Sequence, residues 1–252
     1  MLHPLDPYLR LETIPTVFCS GCGCGSTASI FLHAVREKGY KDLRGFVFVS
    51  GIGCSGWIPS PHFKADTIHT LHGRSIPVAT GIALTRPDLK VVVFGGDGDL
   101  SSIGLSHLVH AARRNVNILT IMVNNLVYAM TGGQASPVTP EWLDRIVSFK
   151  SCIKEGTLDV CKLVADAGAA YAARWSVIHV NQLKESFKKA LEMNGFRFIE
   201  VIAQCTSRIS ERLGLTPIQY LKKLATFMKP ISEVKEIKPN IIPIGEYTSR
   251  GG

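Results

Sequence analysis

VVVFGGDGDL at residues 91–100 and IMVNNL at residues 121–126 are two apolar runs, each ending in a polar turn. Three valines and a phenylalanine stopped by glycine describe a strand buried on both faces. The glycine-rich turn that follows invites a phosphate, and elimination decides which kind. A P-loop closes on Lys and Ser or Thr, and GGDGDLSS has neither that lysine nor the spacing. A dinucleotide fingerprint aligned on Gly96 and Gly98 needs a third glycine where the chain has Ser101, and it would press Asp97 against a pyrophosphate. A bare carboxylate repels phosphate. The two coexist when a divalent cation lies between them, because Mg²⁺ takes its ligands from one or two carboxylates plus substrate phosphates. Asp97 therefore reads as a metal ligand. Asn125 ends the next predicted strand, and neighbouring parallel strands deliver their ends to one edge of a sheet, so its amide oxygen can complete the shell.

The same alternation runs through the chain. Segments 45–50, 90–95, 117–123 and 196–203 are short, β-branched and almost continuously apolar. Between them the spacing predicts helices at 26–38, 73–85, 100–114, 159–168 and 181–194, with Ser26, Asp159 and Asn181 as N-caps. This order predicts an α/β fold with a doubly wound, mostly parallel sheet. Segment 127–157 carries TGGQASPVTPEW and is too long and polar for a simple connection; such loops at strand ends are often functional. From about residue 215 the pattern becomes a helix, PIQYLKKLATFM, and then a Pro- and Ile-containing tail. The expected division is an α/β domain over 1–214 and a C-terminal helix with an extended arm over 215–252.

A chain of 252 residues with 46% apolar side chains can bury a sizeable core. No apolar run reaches the roughly 18 residues of a membrane span, and MLHPLDPYLRLE lacks the apolar centre of a secretory signal. A cytoplasmic protein without membrane attachment is expected. The formal charge is +8, yet Lys184, Glu185, Lys188 and Lys189 mix signs at helical spacing, as on a solvated face, so no nucleic-acid partner is expected. Seven cysteines, an odd number, argue for free thiols in a reducing compartment. Cys19, Cys22 and Cys24 cluster in FCSGCGCGS, Cys54 lies in GIGCSGW and Cys205 in AQCTSR, while Cys152 and Cys161 stand alone. Clustering points to a metal or redox centre. His107 and His110 flank the stripe of Leu105, Leu108, Val109 and Ala112 and read as the polar margin of a helix.

GDG followed by NN, after an intervening helix and strand, resembles the diphosphate-binding signature of thiamine diphosphate enzymes. That resemblance implies Mg²⁺ ligands at Asp97, Asn125 and the carbonyl of Val127. Taken together, CSGCGCG, GIGCSGW, HTLHGR, GGDGDLSSIGLSHLVHAARRN and NNLVYAMTGGQASPVTP resemble the β subunits of 2-oxoacid:ferredoxin oxidoreductases over roughly residues 5 to 210. The resemblance implies a 4Fe-4S cluster on Cys19, Cys22, Cys54 and Cys205, with Cys24 at a variable position. It implies cofactor contacts at Gly96, Gly98, Asp99, Asn125, Met130 and Thr131, a loop over the substrate from Met130 to Gln134, and active-site roles for His69, His72 and Arg74. The activity implied is oxidative decarboxylation of a 2-oxoacid with coenzyme A to acyl-CoA and CO₂, electrons passing through the cluster to ferredoxin. An α subunit is expected to supply the glutamate that activates thiamine, because one sheet domain and an arm use the whole chain.

A Cys-x-x-Cys pair with two distant cysteines suits a tetrathiolate cluster, though zinc accepts the same sulfurs. Iron is preferred because the reaction releases electrons that a one-electron carrier can take up in two steps, and zinc has no redox role. Trp57 stands where the family often has a basic residue, and Ala129 replaces a common glycine. Gly132 stands where some relatives place a lysine, which resembles the forms handling larger acids, and HPLDPYLR resembles the 2-oxoglutarate group. Pyruvate and branched-chain 2-oxoacids remain alternative substrates. A cluster-free thiamine enzyme, a nicotinamide dehydrogenase and a zinc-stapled scaffold remain alternative readings.

Overall fold

A computed structural model describes residues 3–143, 156–236 and 240–247. Cys152 and the later part of the 127–157 loop fall outside the described residues. Among them one sheet runs through β1 (Phe46–Ser50), β2 (Asp66–His69), β3 (Lys90–Gly96), β4 (Leu119–Asn124), β5 (Tyr171–Ser176), β6 (Arg197–Ile202), β7 (Met228–Pro230) and β8 (Ile242–Tyr247). The spatial order is β2-β1-β3-β4-β6-β5-β8-β7. From β2 to β5 every pairing is parallel; β8 joins β5 antiparallel, and β7 lies parallel to β8.

Helices α1 (Gly23–Glu37), α2 (Ser75–Thr85), α3 (Leu105–Arg113), α4 (Val160–Asp166), α5 (Val180–Glu192) and α6 (Pro217–Phe227) complete the fold. Alternation along β3 sends Val92 and Phe94 to one face and Val91 and Val93 to the other. On the first face α1 and α5 supply Phe31 and Phe187, and the Phe31 ring meets Phe48, Phe63, Phe94 and Phe187 at centroid distances of 5.4–6.1 Å. Each such buried ring contributes about 1.5–3 kcal/mol of transfer free energy. The second face is covered by α2, α3 and α4 through Ile76, Leu108, Ala112, Val160 and Val164. Helices on both faces of a mainly parallel sheet make the fold doubly wound, as expected. A smaller cluster joins Leu126 and Val127 to Cys205, Ile209, Tyr220 and Leu224, so α6 packs beneath the loop after β4.

The differences from expectation have local causes. The first helix begins at Gly23 with Cys22 in the cap position, not at Ser26, because the Gly23 N–H already donates to Gln204 O at 3.2 Å and fixes the chain's entry there. Asn181 is likewise not a cap, since its helix starts at Val180 after His179. Asp159 does cap α4, accepting from Lys162 N at 3.1 Å. The helix expected at 100–114 is split into a π-helical turn, Asp99–Ile103, and α3. Four strands escape a reading by apolar runs. β2 is a mostly exposed edge, β5 reads YAARWS, β7 is three residues long, and β8 reads IPIGEY with Pro and Gly inside it. The extended arm therefore includes a strand of the main sheet. Among the described residues no helix is long and apolar enough to cross a membrane.

Candidate active site

β1, β3, β4 and β6 run parallel and adjacent, so the loops that follow them meet at one edge. The turn after β3 brings Asp97 into the interior, 2% exposed, where its Oδ2 accepts from Ser136 Oγ at 2.5 Å. Burial pushes this carboxyl up to about 7, against the opposing hydrogen bonds from Ser136 and from the backbone of Asp97 and Asn125. The structure thus brings Asp97 and Asn125 together. Burial makes the charged form of this carboxyl costly, and a divalent ion beside it would offset that cost.

The turn after β4 is shaped by its two asparagines. Asn124 Oδ1 accepts from Leu126 N at 2.9 Å and Asn125 Oδ1 accepts from Val127 N at 3.2 Å, two successive side-chain turns. Between them Leu126 takes a φ of +69°, a left-handed conformation that is uncommon for a residue with a side chain. Thr139 holds it there by donating to Leu126 O at 2.6 Å, while its hydroxyl accepts from Ser136 N at 2.8 Å. Ser136 and Thr139 therefore tie Asp97 to the Asn125 turn. Sequence reading placed both in a functional loop but gave neither a role.

Two glycines permit close approach. A Cβ on Gly98 would lie 2.1 Å from Tyr128 Cε1, so the bare backbone is what lets that ring cover the turn. One on Gly51 would lie 2.0 Å from Asp99 Oδ2. Asp99, also 2% exposed, faces the loops after β1 and β2: its Oδ1 accepts from Gly73 N at 2.7 Å and Ile52 N at 3.3 Å, and lies 2.9 Å from His72 Nδ1. Burial raises this carboxyl as well, with the Gly73 N–H and His72 opposing. His69 Nδ1 lies 2.9 Å from Ser50 Oγ, with its ring 5.9 Å from that of Trp57. Exposed Arg74 reaches Gly73 O at 3.3 Å and Ile103 O at 3.4 Å. His69, His72 and Arg74 accordingly share one rim, with His72 directly linked to the aspartate turn.

The loop expected over the substrate is held from outside. Tyr128 N donates to Gln134 O and Gly133 N to Tyr128 O, both at 2.8 Å, closing a compact turn that presents Met130 and Thr131. Thr131 Oγ1 donates to Gln134 Oε1 at 2.8 Å. Arg208 grips Ala129 O at 3.2 Å, and Arg212 grips Gly133 O at 3.0 Å and Gly132 O at 2.8 Å. Neither arginine was singled out from the sequence, because nothing in it pairs residues about 80 positions apart.

Five thiols meet beside this loop. Cys19, Cys22, Cys24, Cys54 and Cys205 line a cavity of about 180 Å³ whose wall is completed by Asn125, Ala129, Met130 and Gln204. All five are free thiols. Contact with Cys24 draws the Cys22 thiol down to about 7, whereas burial pushes Cys54 up to about 11 and raises Cys205. Deprotonated together they would repel, so a bound cation or cluster is what lets them coexist as thiolates. Among the described residues no three His, Cys, Asp or Glu side chains converge in the arrangement of a metal site. The sulfurs surround a space. Cys161 is elsewhere, buried under the sheet against Ala173 O and Glu200.

Comparison with known proteins places the chain in a family. Residues 51–201 match the family of thiamine pyrophosphate enzymes, C-terminal TPP binding domain. The 2-oxoglutarate synthase subunit KorB of Methanocaldococcus jannaschii is 42% identical over 251 residues, covering 98% of this chain and 92% of the relative. The 2-oxoacid:ferredoxin oxidoreductase 2 subunit beta of Aeropyrum pernix is 39% identical over 75% of this chain and 60% of its own. A solved 2-oxoglutarate:ferredoxin oxidoreductase from Magnetococcus marinus, with 2-oxoglutarate, coenzyme A and succinyl-CoA bound, superposes with a TM-score of 0.81. It is 30% identical and covers all of this chain and 86% of that one.

Proposed function

The chain belongs to the β subunits of the 2-oxoacid:ferredoxin oxidoreductases, and from that premise we propose that it houses thiamine diphosphate, Mg²⁺ and a 4Fe-4S cluster in a cytoplasmic enzyme that oxidises 2-oxoglutarate. The 2-oxoacid and coenzyme A would give acyl-CoA, CO₂, a proton and two electrons; a cluster held by the cysteines would supply the one-electron carrier between the site and ferredoxin. Thiamine diphosphate, when bound, supplies the electron sink that allows CO₂ to depart. Asp97, Asn125 and the Val127 carbonyl would hold Mg²⁺ against the diphosphate, with the backbone at Gly96 and Gly98 alongside. His72, with Nδ1 2.9 Å from Asp99 Oδ1, would offer Nε2 to the substrate. Met130 and Thr131, both exposed on the turn that Arg208 and Arg212 hold, would face the substrate.

The observation that carries this reading is the shared wall. Asn125, Ala129 and Met130 border the thiol cavity, so the diphosphate turn and the proposed cluster ligands Cys19, Cys22, Cys54 and Cys205 adjoin one another. With both groups bound, Asn125, Ala129 and Met130 would lie between them. A single zinc ion would take the same four sulfurs but has no redox role, whereas a cluster gives each cysteine its own iron and carries the electrons the reaction releases. Relatives that match nearly the whole chain are named 2-oxoglutarate synthase subunits, which favours that acid over pyruvate or branched-chain acids.

Anaerobic purification with the partner subunits tests it. Brown protein containing iron and acid-labile sulfide is expected, with coenzyme A-dependent turnover greatest on 2-oxoglutarate. Cys205→Ser should lose the iron and Cys24→Ser should retain it. The reverse pattern refutes the ligand assignment, and preference for pyruvate refutes the substrate.

A further inference from the structure

An ion pair sits in the middle of the sheet, unaccounted for by the chemistry above. Glu200 on β6 is 1% exposed and Arg174 on β5 is 5% exposed; they are register partners, and Arg174 Nε donates to Glu200 Oε2 at 2.8 Å. Replacing a buried pair by well-packed apolar residues is often neutral or stabilising, so stability alone is a weak reason for one. The pair's connections suggest another. Glu200 Oε1 accepts from Asn124 Nδ2 at 2.7 Å, and the same Asn124 side chain accepts from Leu126 N within the diphosphate turn. On the opposite side Arg174 donates to Asp159 Oδ1 at 2.6 Å, to Pro243 O at 3.3 Å and to the Tyr247 hydroxyl. Cys161 Sγ donates to Glu200 Oε2 at 3.3 Å.

Each polar atom in this chain limits the next. Asn124 could rotate about its side-chain torsions and release Leu126, but the amide is held at both ends: Glu200 takes the nitrogen and Leu126 N takes the oxygen. Glu200 could turn away, but Arg174 and Cys161 fix its other oxygen. Arg174 is fixed in turn by the cap of α4 and by β8. The left-handed Leu126 lies between Asn125 and Val127, so rotation of Asn124 would shift both.

We propose that Glu200 and Arg174 are positioning residues for the metal and diphosphate turn, and that strand β8, through Tyr247, completes them. The inference rests on Asn125 and Val127 being Mg²⁺ ligands. Groups that orient metal ligands from behind commonly carry a 10–100-fold share of metal affinity. The C-terminal strand thereby acts on the cofactor from the far side of the sheet, without touching it.

The test uses the chain in complex with its partner subunits. Thiamine diphosphate binding is followed by calorimetry across a Mg²⁺ titration in Glu200→Gln, in the double variant Arg174→Met with Glu200→Met, and in Asp97→Ala, with thermal unfolding recorded for each. The double variant removes both charges together and is expected to stay folded. Both Glu200 variants should need about 10–100-fold more Mg²⁺ for half-saturation, while the double variant melts near the parent temperature. A folded double variant with the parent's Mg²⁺ dependence overturns the positioning role. If Asp97→Ala binds normally as well, the metal-site reading has failed; if Asp97→Ala abolishes binding and the double variant does not weaken it, only the positioning role has.

Discussion

At Asp97 the fold holds a carboxyl group inside the protein, with a serine hydroxyl and backbone N–H groups as its partners among the described residues. Those groups offset part of the desolvation cost and leave the oxygen atoms facing the asparagine turn. Asp97→Ala should abolish thiamine diphosphate binding at millimolar Mg²⁺, because the diphosphate loses its anchored cation; unchanged affinity by calorimetry would sink the assignment. Gly98 is a second sensitive point. With a Cβ 2.1 Å from the Tyr128 ring, Gly98→Ala must displace that ring or the turn, and a loss of cofactor affinity larger than the loss of thermal stability is expected. Equal affinity would mean the ring moves freely. The meeting of Asp97 and Asn125 was legible from the sequence because neighbouring parallel strands deliver their ends to one edge of the sheet. Ser136, Thr139, Glu200 and Arg174 were not, since a serine in a loop and a glutamate in a strand have meaning only through partners far along the chain.

The elements read from the sequence are those with apolar runs long enough to be buried on both faces: β1, β3, β4 and β6, which deliver the site loops. β5 and β8 were invisible for the opposite reason. Their side chains include Arg174, Trp175, Glu246 and Tyr247, polar or amphipathic groups whose burial depends on one another. Tyr171 OH donates to Glu246 Oε1 at 2.9 Å, and Lys189 reaches Glu246 Oε2 at 2.6 Å, so β8 docks by pairing at several points. Tyr247→Phe should cost about 1–3 kcal/mol, because it strips a buried Arg174 donor of its acceptor while keeping the ring. Denaturant unfolding measures it. A variant as stable as the parent would show that water or Pro243 replaces the hydroxyl, and that the backbone ladder and the Glu246 contacts hold β8.

At the scale of the whole molecule the site is open on one side. Ile52, Trp57, Ile68, Leu71 and Ile103, all on or beside the loops of the carboxyl edge, are exposed apolar side chains, Leu71 to 79%. A cluster of this kind at the mouth of a site marks a surface that another protein covers. Thiamine chemistry also needs a carboxylate on the aminopyrimidine, and the aspartates at this edge are buried within their own loops, Asp97 Oδ2 accepting from Ser136 and Asp99 Oδ1 from Gly73 N and Ile52 N. Glu200 is bound to Asn124 and Arg174. The activating glutamate is therefore expected from an α subunit seated over those apolar side chains. The chain alone, loaded with cluster and saturating thiamine diphosphate, should show essentially no 2-oxoacid oxidation, and titrating in the partner should restore it with a sharp stoichiometric end point. Leu71→Asp should raise the partner concentration needed without changing cofactor binding by the isolated chain. Robust coenzyme A-dependent turnover by the chain alone would place the activating carboxylate within it, and the apolar rim would then need a different occupant.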